Sequence, residues 1–295
     1  MSTPTHARAR LALVVATVIW GATFVVVQQG LRDLPVFHLL VFRFTLGALL
    51  LLPLALRRGA APRPSRISLL VGGALFAGYV LQTYGLKWTT PSRSAFLTGI
   101  SVVLVPLLGW ATGVERPRPG PIAGALCAVG GLWALYRPQG GPPFGLGDWL
   151  TIGCAVAFAA HLLLVERAIK TTRMMRLAIV QFAVVALLSA PSLLLVPPRR
   201  AEFTPTALSA ILITAVFATA VAFVCQIYAQ RRLGAVETAV ILTLEPAVAA
   251  LVSVAAGAEP FGWPLAAGGA LLVAGMLLAQ IGADSPPEAL PRAVG

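Results

Sequence analysis

Gln82-Thr83-Tyr84-Gly85-Leu86-Lys87 returns, in diverged form, as Gln226-Ile227-Tyr228-Ala229-Gln230-Arg231, 144 positions further on. The same displacement carries Ala95 to Ala239, Glu115 to Glu259, Gly124 to Gly268 and Gly131 to Gly275, with no gap between Gln82 and Gly131. A nearby displacement of 138 carries Phe44 to Phe182 and Pro53 to Pro191. Single Gly or Ala matches carry no weight among segments rich in Leu, Ala, Gly and Val. An ungapped run that includes Gln, Tyr, a cation and Glu does. The chain reads as two related halves.

The sequence around these stretches identifies their solvent. Ten apolar segments reach or approach the roughly 20 residues that a membrane-spanning helix needs: 11–30, 36–56, 67–86, 94–113, 119–136, 148–165, 175–196, 206–230, 235–256 and 261–282. The composition is 58% hydrophobic and 11% charged, with a mean hydropathy of +0.87. Soluble domains carry roughly 25% charged residues, and a core of this size could not hide so much apolar surface. Barrel strands are excluded because the runs lack apolar/polar alternation.

Five helices per half is an odd number, so the second half enters the bilayer from the opposite side. The expected fold is all-α integral membrane, ten transmembrane helices as two inverted five-helix repeats. Residues 11–136 form the first repeat and 148–282 the second, with short cytoplasmic tails at 1–10 and 283–295.

The net charge of +12 does not point to nucleic acid, because the Lys and Arg residues fall between apolar runs and do not interleave with aromatics. With the N-terminus inside, fifteen of the 22 cations lie in inside segments and six in outside segments. Only Arg43 falls within a span. That bias predicts a multi-pass protein of the cytoplasmic membrane with both termini cytoplasmic. The first apolar run is long enough to be read as a retained helix, not a cleaved signal. Cys127, Cys154 and Cys225 have no ligand spacing and read as small buried hydrophobes.

Short motifs in order along this layout resemble the EamA-type members of the drug/metabolite transporter superfamily. They are Trp20-Gly21-Ala22-Thr23-Phe24, Pro35 with Phe42-Arg43-Phe44, Ser94 to Gly99 with Pro106 and Glu115-Arg116-Pro117, and Leu244-Glu245-Pro246 with Gly257-Ala258-Glu259-Pro260. The resemblance covers nearly all of 11–282. It implies transport of small metabolites, amino acids or drugs, with the first four helices of each half forming the pathway. One departure breaks the symmetry: Ser101-Val102 stands where the ninth helix has Glu245-Pro246.

Ionisable groups at membrane depth are functional candidates. Glu245 lies about 15 Å into its helix, and Pro246 next to it removes a backbone donor and opens the helix. A carboxylate beside freed carbonyls suits a proton, a sodium ion or a substrate amine. Arg43, about 10 Å deep, is open to three readings: a pair with Glu245, a clamp on a substrate carboxylate, or a snorkelling cation. His161 is a candidate proton relay or an interhelical hydrogen bond. Gln82 and Gln226, repeat mates, are expected on opposite walls of one cavity, and Gln28 and Gln181 are polar in spans. Trp20, Phe24, Tyr79, Tyr84, Phe96 and Tyr228 would suit a pocket for an apolar or aromatic substrate, or simple packing. Glycines crowd the fifth and tenth helices, which read as packing helices joining the halves or as a dimer contact.

These residues favour a secondary transporter, not an enzyme, moving a small zwitterionic or neutral organic metabolite (an amino acid, a drug or similar) by alternating access. The expected direction is export. The expected partners are that small-molecule substrate and the lipid bilayer, with a proton as candidate coupling ion, in a monomer or weak dimer. No nucleic acid, cofactor or metal is expected. The alternatives are a channel-like facilitator and a membrane-embedded enzyme. No G-x-x-x-x-G-K-[ST] loop occurs, nor any convergent His/Asp or Ser/His/Asp set.

Overall fold

The structure, a computed structural model, describes residues 4–57, 59, 63–112, 119–136, 144–195, 201–257 and 262–280. Glu115, Arg116, Pro117, Glu259, Pro260 and the expected tail at 283–295 lie outside the described residues. The first half contributes α1 (Pro4–Gly30), α2 (Val36–Arg57), α3 (Arg66–Gly85), α4 (Pro91–Gly99), α5 (Ser101–Ala111) and α6 (Pro119–Tyr136). The second contributes α7 (Leu146–Ala168), α8 (Met174–Ser189), α9 (Ser192–Leu195) and α10 (Pro205–Ile213). A π-helical segment (Thr214–Val221) follows, then α11 (Ala222–Leu242), α12 (Leu244–Ala255) and α13 (Trp263–Gln280). There is no strand among the described residues.

Local chemistry sets the helix starts. Ser65 and Ser68 cap α3 reciprocally, and Thr90 before Pro91 and Thr204 before Pro205 each accept a backbone N–H of the first turn. At α7 the Asp148 carboxylate reaches back to the Gly145 N–H at 2.8 Å. Within α11, Gly234 adopts φ 80°, ψ 173°, a region only glycine enters freely. There the chain leaves one helix and starts another, matching the sequence break between 206–230 and 235–256.

Seven helical runs among the described residues are long and apolar enough to cross a membrane, one of them Pro205–Ala255 with Gly234 inside it. Bare apolar side chains such as Leu187, Leu194, Leu195, Trp110 and Trp133 cover the periphery. A surface of that kind needs lipid. This is a multi-pass membrane protein.

Two expectations need correction. The first helix starts at Pro4, so most of the expected tail at 1–10 is helical. Its inward face is apolar, and Ala9 and Leu13 bury against Ala229 and Ile241. The expected span 94–113 is two helices, α4 and α5, broken at Ile100, although Pro106 lies inside α5 without breaking it.

The helices pack in four long pairs: α6 with α13, α3 with α7, α1 with α11 and α2 with α8. In the first pair a Cβ on Gly131 would lie 2.9 Å from the Gly268 carbonyl, and one on Gly275 would lie 2.8 Å from that of Gly124. The glycine stripes therefore serve close backbone approach within the chain. The main core runs through Phe44, Phe182, Tyr79, Phe223 and their neighbours.

Candidate functional site

The site begins at two broken helices. Between α11 and α12 the chain breaks at Thr243, and Pro246 has no N–H to give the Leu242 carbonyl. The break at Ile100 lies 144 positions before Leu244, the displacement of the sequence repeat. Gly99 and Ser101 from the first break and Thr243, Glu245 and Pro246 from the second line one central cavity. Discontinuous helices meeting at mid-membrane present free backbone groups where a solute can use them.

Gly21 brings α1 against the second break. A Cβ there would lie 2.7 Å from Val248 Cβ and 2.8 Å from the Glu245 carbonyl oxygen, so glycine alone lets the backbones meet. Trp20, one residue earlier, turns into the cavity and donates its Nε1–H to the Ala218 carbonyl at 2.7 Å. Ala218 belongs to the π-helical segment, whose wider turn leaves carbonyls open to side chains.

Arg43 is buried on the same segment. Its Nε donates to Thr219 Oγ1 at 2.8 Å and its Nη2 to the Tyr79 hydroxyl at 3.0 Å, and the guanidinium lies 4.5 Å from the Tyr79 ring centroid. Of the three readings of Arg43, the pair with Glu245 is therefore not formed. The fork is held by a hydroxyl, a phenol and an aromatic face. The Glu245 side chain makes no hydrogen bond or ion pair among the described residues. One cavity thus holds a guanidinium with neutral partners and a separate, unpaired carboxyl group.

Further candidates converge on the same space. Gln82 Nε2 donates to Thr98 Oγ1 at 3.2 Å. Gln226 Nε2 reaches Gln230 Oε1 at 3.4 Å, while its buried Oε1 has no partner. His161 Nε2 meets Gln181 Oε1 at 2.8 Å; with the amide oxygen turned to the ring, Nε2 is the donor. Trp20, Phe24, Tyr79, Phe158 and Phe223 supply aromatic walls.

Three of the candidate aromatics, Tyr84, Tyr228 and Phe96, do not line the cavity. Tyr84 stacks on Trp88 with its edge to Phe37, and Tyr228 lies under Arg232, whose guanidinium carbon is 4.0 Å from the ring centroid. Each sits two positions after a cavity glutamine, about 200° round the helix, so the glutamines' inward turn sends these tyrosines outward. Phe96 packs beside Val102 and Leu132 instead. Gln28 bonds the Leu86 and Thr89 carbonyls beyond the end of α3. Sequence reasoning missed the π-helical segment and Phe158 and Phe223; Thr214 to Val221 carries no Pro or Gly to signal it.

The EamA-like transporter family matches residues 8–137 and again residues 145–280. The chain belongs to the EamA-like transporter family. That family lies within the drug/metabolite transporter superfamily. This EamA-like chain is 33% identical over 251 residues to an uncharacterized transporter of Archaeoglobus fulgidus, covering 85% of this chain and 79% of that one. A second uncharacterized transporter of the same organism is 26% identical over 289 residues, covering 94% and 98%. A crystal structure of another protein shares the fold, with a TM-score of 0.79 at 23% identity over 93% of this chain and 97% of that one. The EamA-like chain is a membrane transporter.

Proposed function

We propose that this transporter moves a small zwitterionic or neutral organic metabolite across the cytoplasmic membrane by alternating access, with ten spanning helices in two inverted halves and both termini cytoplasmic. The carrying observation is the central cavity, which holds the unpaired Glu245 carboxyl apart from the Arg43 guanidinium between aromatic walls. An ammonium and a carboxylate on one small molecule match those two charges, and the rings match an apolar body.

Three further observations support the inverted halves. The family matches twice. The two breaks, at Ile100 and Thr243, stand within one residue of the repeat displacement. The helix pairing maps onto itself when the halves are exchanged: α1 with α11 becomes α7 with α3, and the pairs α2 with α8 and α6 with α13 are unchanged. A proton on Glu245 is the coupling ion this reading favours, because the group is enclosed and pairs with no cation among the described residues.

The test is counterflow in proteoliposomes, preloaded in turn with amino acids, amines, carboxylates and neutral metabolites. Saturable exchange for a zwitterionic or neutral compound is expected, and assay in inside-out vesicles tests the expected export direction. A linear flux that never saturates would replace the carrier by a channel.

A further inference from the structure

Two ion pairs flank the cavity, one towards each membrane face, and neither enters it. Arg10 Nε of α1 lies 2.8 Å from Glu237 Oε1 of α11, just beyond the turn at Gly234. Arg93 Nε of α4 lies 2.7 Å from Asp148 Oδ1 of α7. The Arg93 N–H is misdirected for a hydrogen bond, so that contact is electrostatic. The side chains are nearly sealed from solvent, at 12% and 5% exposure in the first pair and 12% and 4% in the second. Each pair joins one half of the chain to the other.

The pairs stand at opposite ends of the bundle. Gln28, near the end of α1, bonds the Thr89 carbonyl, and Thr89 Oγ1 donates to Asp148. The Arg93–Asp148 pair therefore sits about 27 Å along α1 from Arg10, for 18 residues at 1.5 Å each. The pairs are also repeat mates: 93 and 237 differ by 144, and 10 and 148 by 138, the two displacements of the sequence repeat. The charges are exchanged. Arg93 corresponds to Glu237, and Arg10 to Asp148. The small residues beneath correspond too. Gly85 meets Gly147, where a Cβ would lie 2.8 Å from the opposing carbonyl, and their mates Ala229 and Ala9 share one buried cluster.

We propose that these pairs are the two gate latches of the transport cycle: Arg10–Glu237 holds the pathway shut at the face of the α1 N-terminus, and Arg93–Asp148 holds it shut at the other. The proposal rests on the alternating-access reading. Such a cycle needs each face to close by its own contact and release independently. Two partly buried pairs, each bridging the halves at one face, meet that need. A nearly buried pair favours the closed arrangement because separation leaves two charges poorly solvated. Asp148 also caps α7 and holds Thr89, so its release would free the α3–α4 connection along with α4. The latches are positioning residues; they act on the population of open states and touch no solute.

The experiment places one reporter cysteine, Thr23→Cys on the cavity wall, in a background with Cys127, Cys154 and Cys225 replaced by alanine. A membrane-impermeant maleimide is applied to right-side-out and to inside-out vesicles. Asp148→Asn retains the α7 cap and should raise labelling about tenfold from the face of Arg93 only. Glu237→Gln should do the same from the face of Arg10 only. Tenfold corresponds to about 1.4 kcal/mol of bias between states. The charge-exchanged double variants, Arg93→Asp with Asp148→Arg and Arg10→Glu with Glu237→Arg, should restore the parental pattern; they also report on folding if a single variant is lost. Equal labelling from both faces, or no change in either, overturns the latches. Counterflow by the parental protein is read alongside. Its absence sinks the transport reading, whereas its presence with symmetric labelling sinks the latches alone.

Discussion

Gly21→Ala adds one methyl group at the point where α1 crosses the broken helix. The new carbon would lie 2.7 Å from Val248 Cβ, 2.9 Å from Val248 Cγ1 and 2.8 Å from the Glu245 carbonyl oxygen. No rotamer of Val248 removes its Cβ, and the carbonyl is backbone, so α12 must move as a body. Overpacking of this kind costs about 1–3 kcal/mol. Replacing glycine by alanine in a helix returns about 0.5–1 kcal/mol, for a net loss of roughly 0–2.5 kcal/mol by difference of these two ranges. Gly73→Ala is the control, because nothing lies within 4 Å of a Cβ there, so only the gain of about 0.5–1 kcal/mol applies. Thermal unfolding of the two purified variants in one detergent should place Gly21→Ala below Gly73→Ala by about 1–3 kcal/mol. Val248→Ala on the Gly21→Ala background should recover only part of the difference, since the clash with the Glu245 carbonyl stays. Counterflow by Gly21→Ala should fall further than its stability, because the displaced segment carries the Glu245 carboxyl. Equal melting temperatures for Gly21→Ala and Gly73→Ala would refute the close approach of α1 to α12.

Other substitutions probe the remaining parts of the site. Gly234→Ala forces a side chain into φ 80°, ψ 173° and should destabilise by about 1–3 kcal/mol, measured by the same unfolding assay. Glu245→Gln breaks no hydrogen bond among the described residues, so its melting temperature should match the parent while counterflow falls at least about tenfold, beyond about 1.4 kcal/mol; full activity would remove the carboxyl from the mechanism. Arg43→Lys cannot span Thr219 Oγ1 and the Tyr79 hydroxyl with one ammonium, so it should lose both stability and transport, by about 1–3 kcal/mol in unfolding. Trp20→Phe keeps an aromatic ring, though a smaller one, and loses the bond to Ala218. It should destabilise by about 1–3 kcal/mol, and an unchanged melting temperature would count against an anchored π-helical segment.

Helix positions were legible in the sequence because a span's length follows from bilayer thickness. The break at Thr243 was legible through Pro246, and the turn at Gly234 through the interruption of apolar residues after Gln230. The matching break at Ile100 was hidden: Gly99 stands beside it, but a glycine keeps its backbone N–H and does not force a helix open the way Pro246 does at the mate. Arg43 was readable as a charge at depth, but its partners were not: Thr219 and Ala218 lie 176 and 175 positions away, in a π-helical turn that composition does not announce. The cavity glutamines followed from the repeat. Tyr84 and Tyr228 share that repeat yet face away, because two positions on a helix point to nearly opposite sides.

The exchanged charges at the two faces have a consequence for assembly. If the halves descend from one ancestral five-helix unit, a pair of first halves would set Arg10 against Arg93 at both faces. A pair of second halves would set Asp148 against Glu237 at both. Only the unlike combination brings opposite charges together at each end. The four residues thus favour the unlike pairing over either like one, and fusion into one chain fixes the one-to-one stoichiometry that this pairing needs.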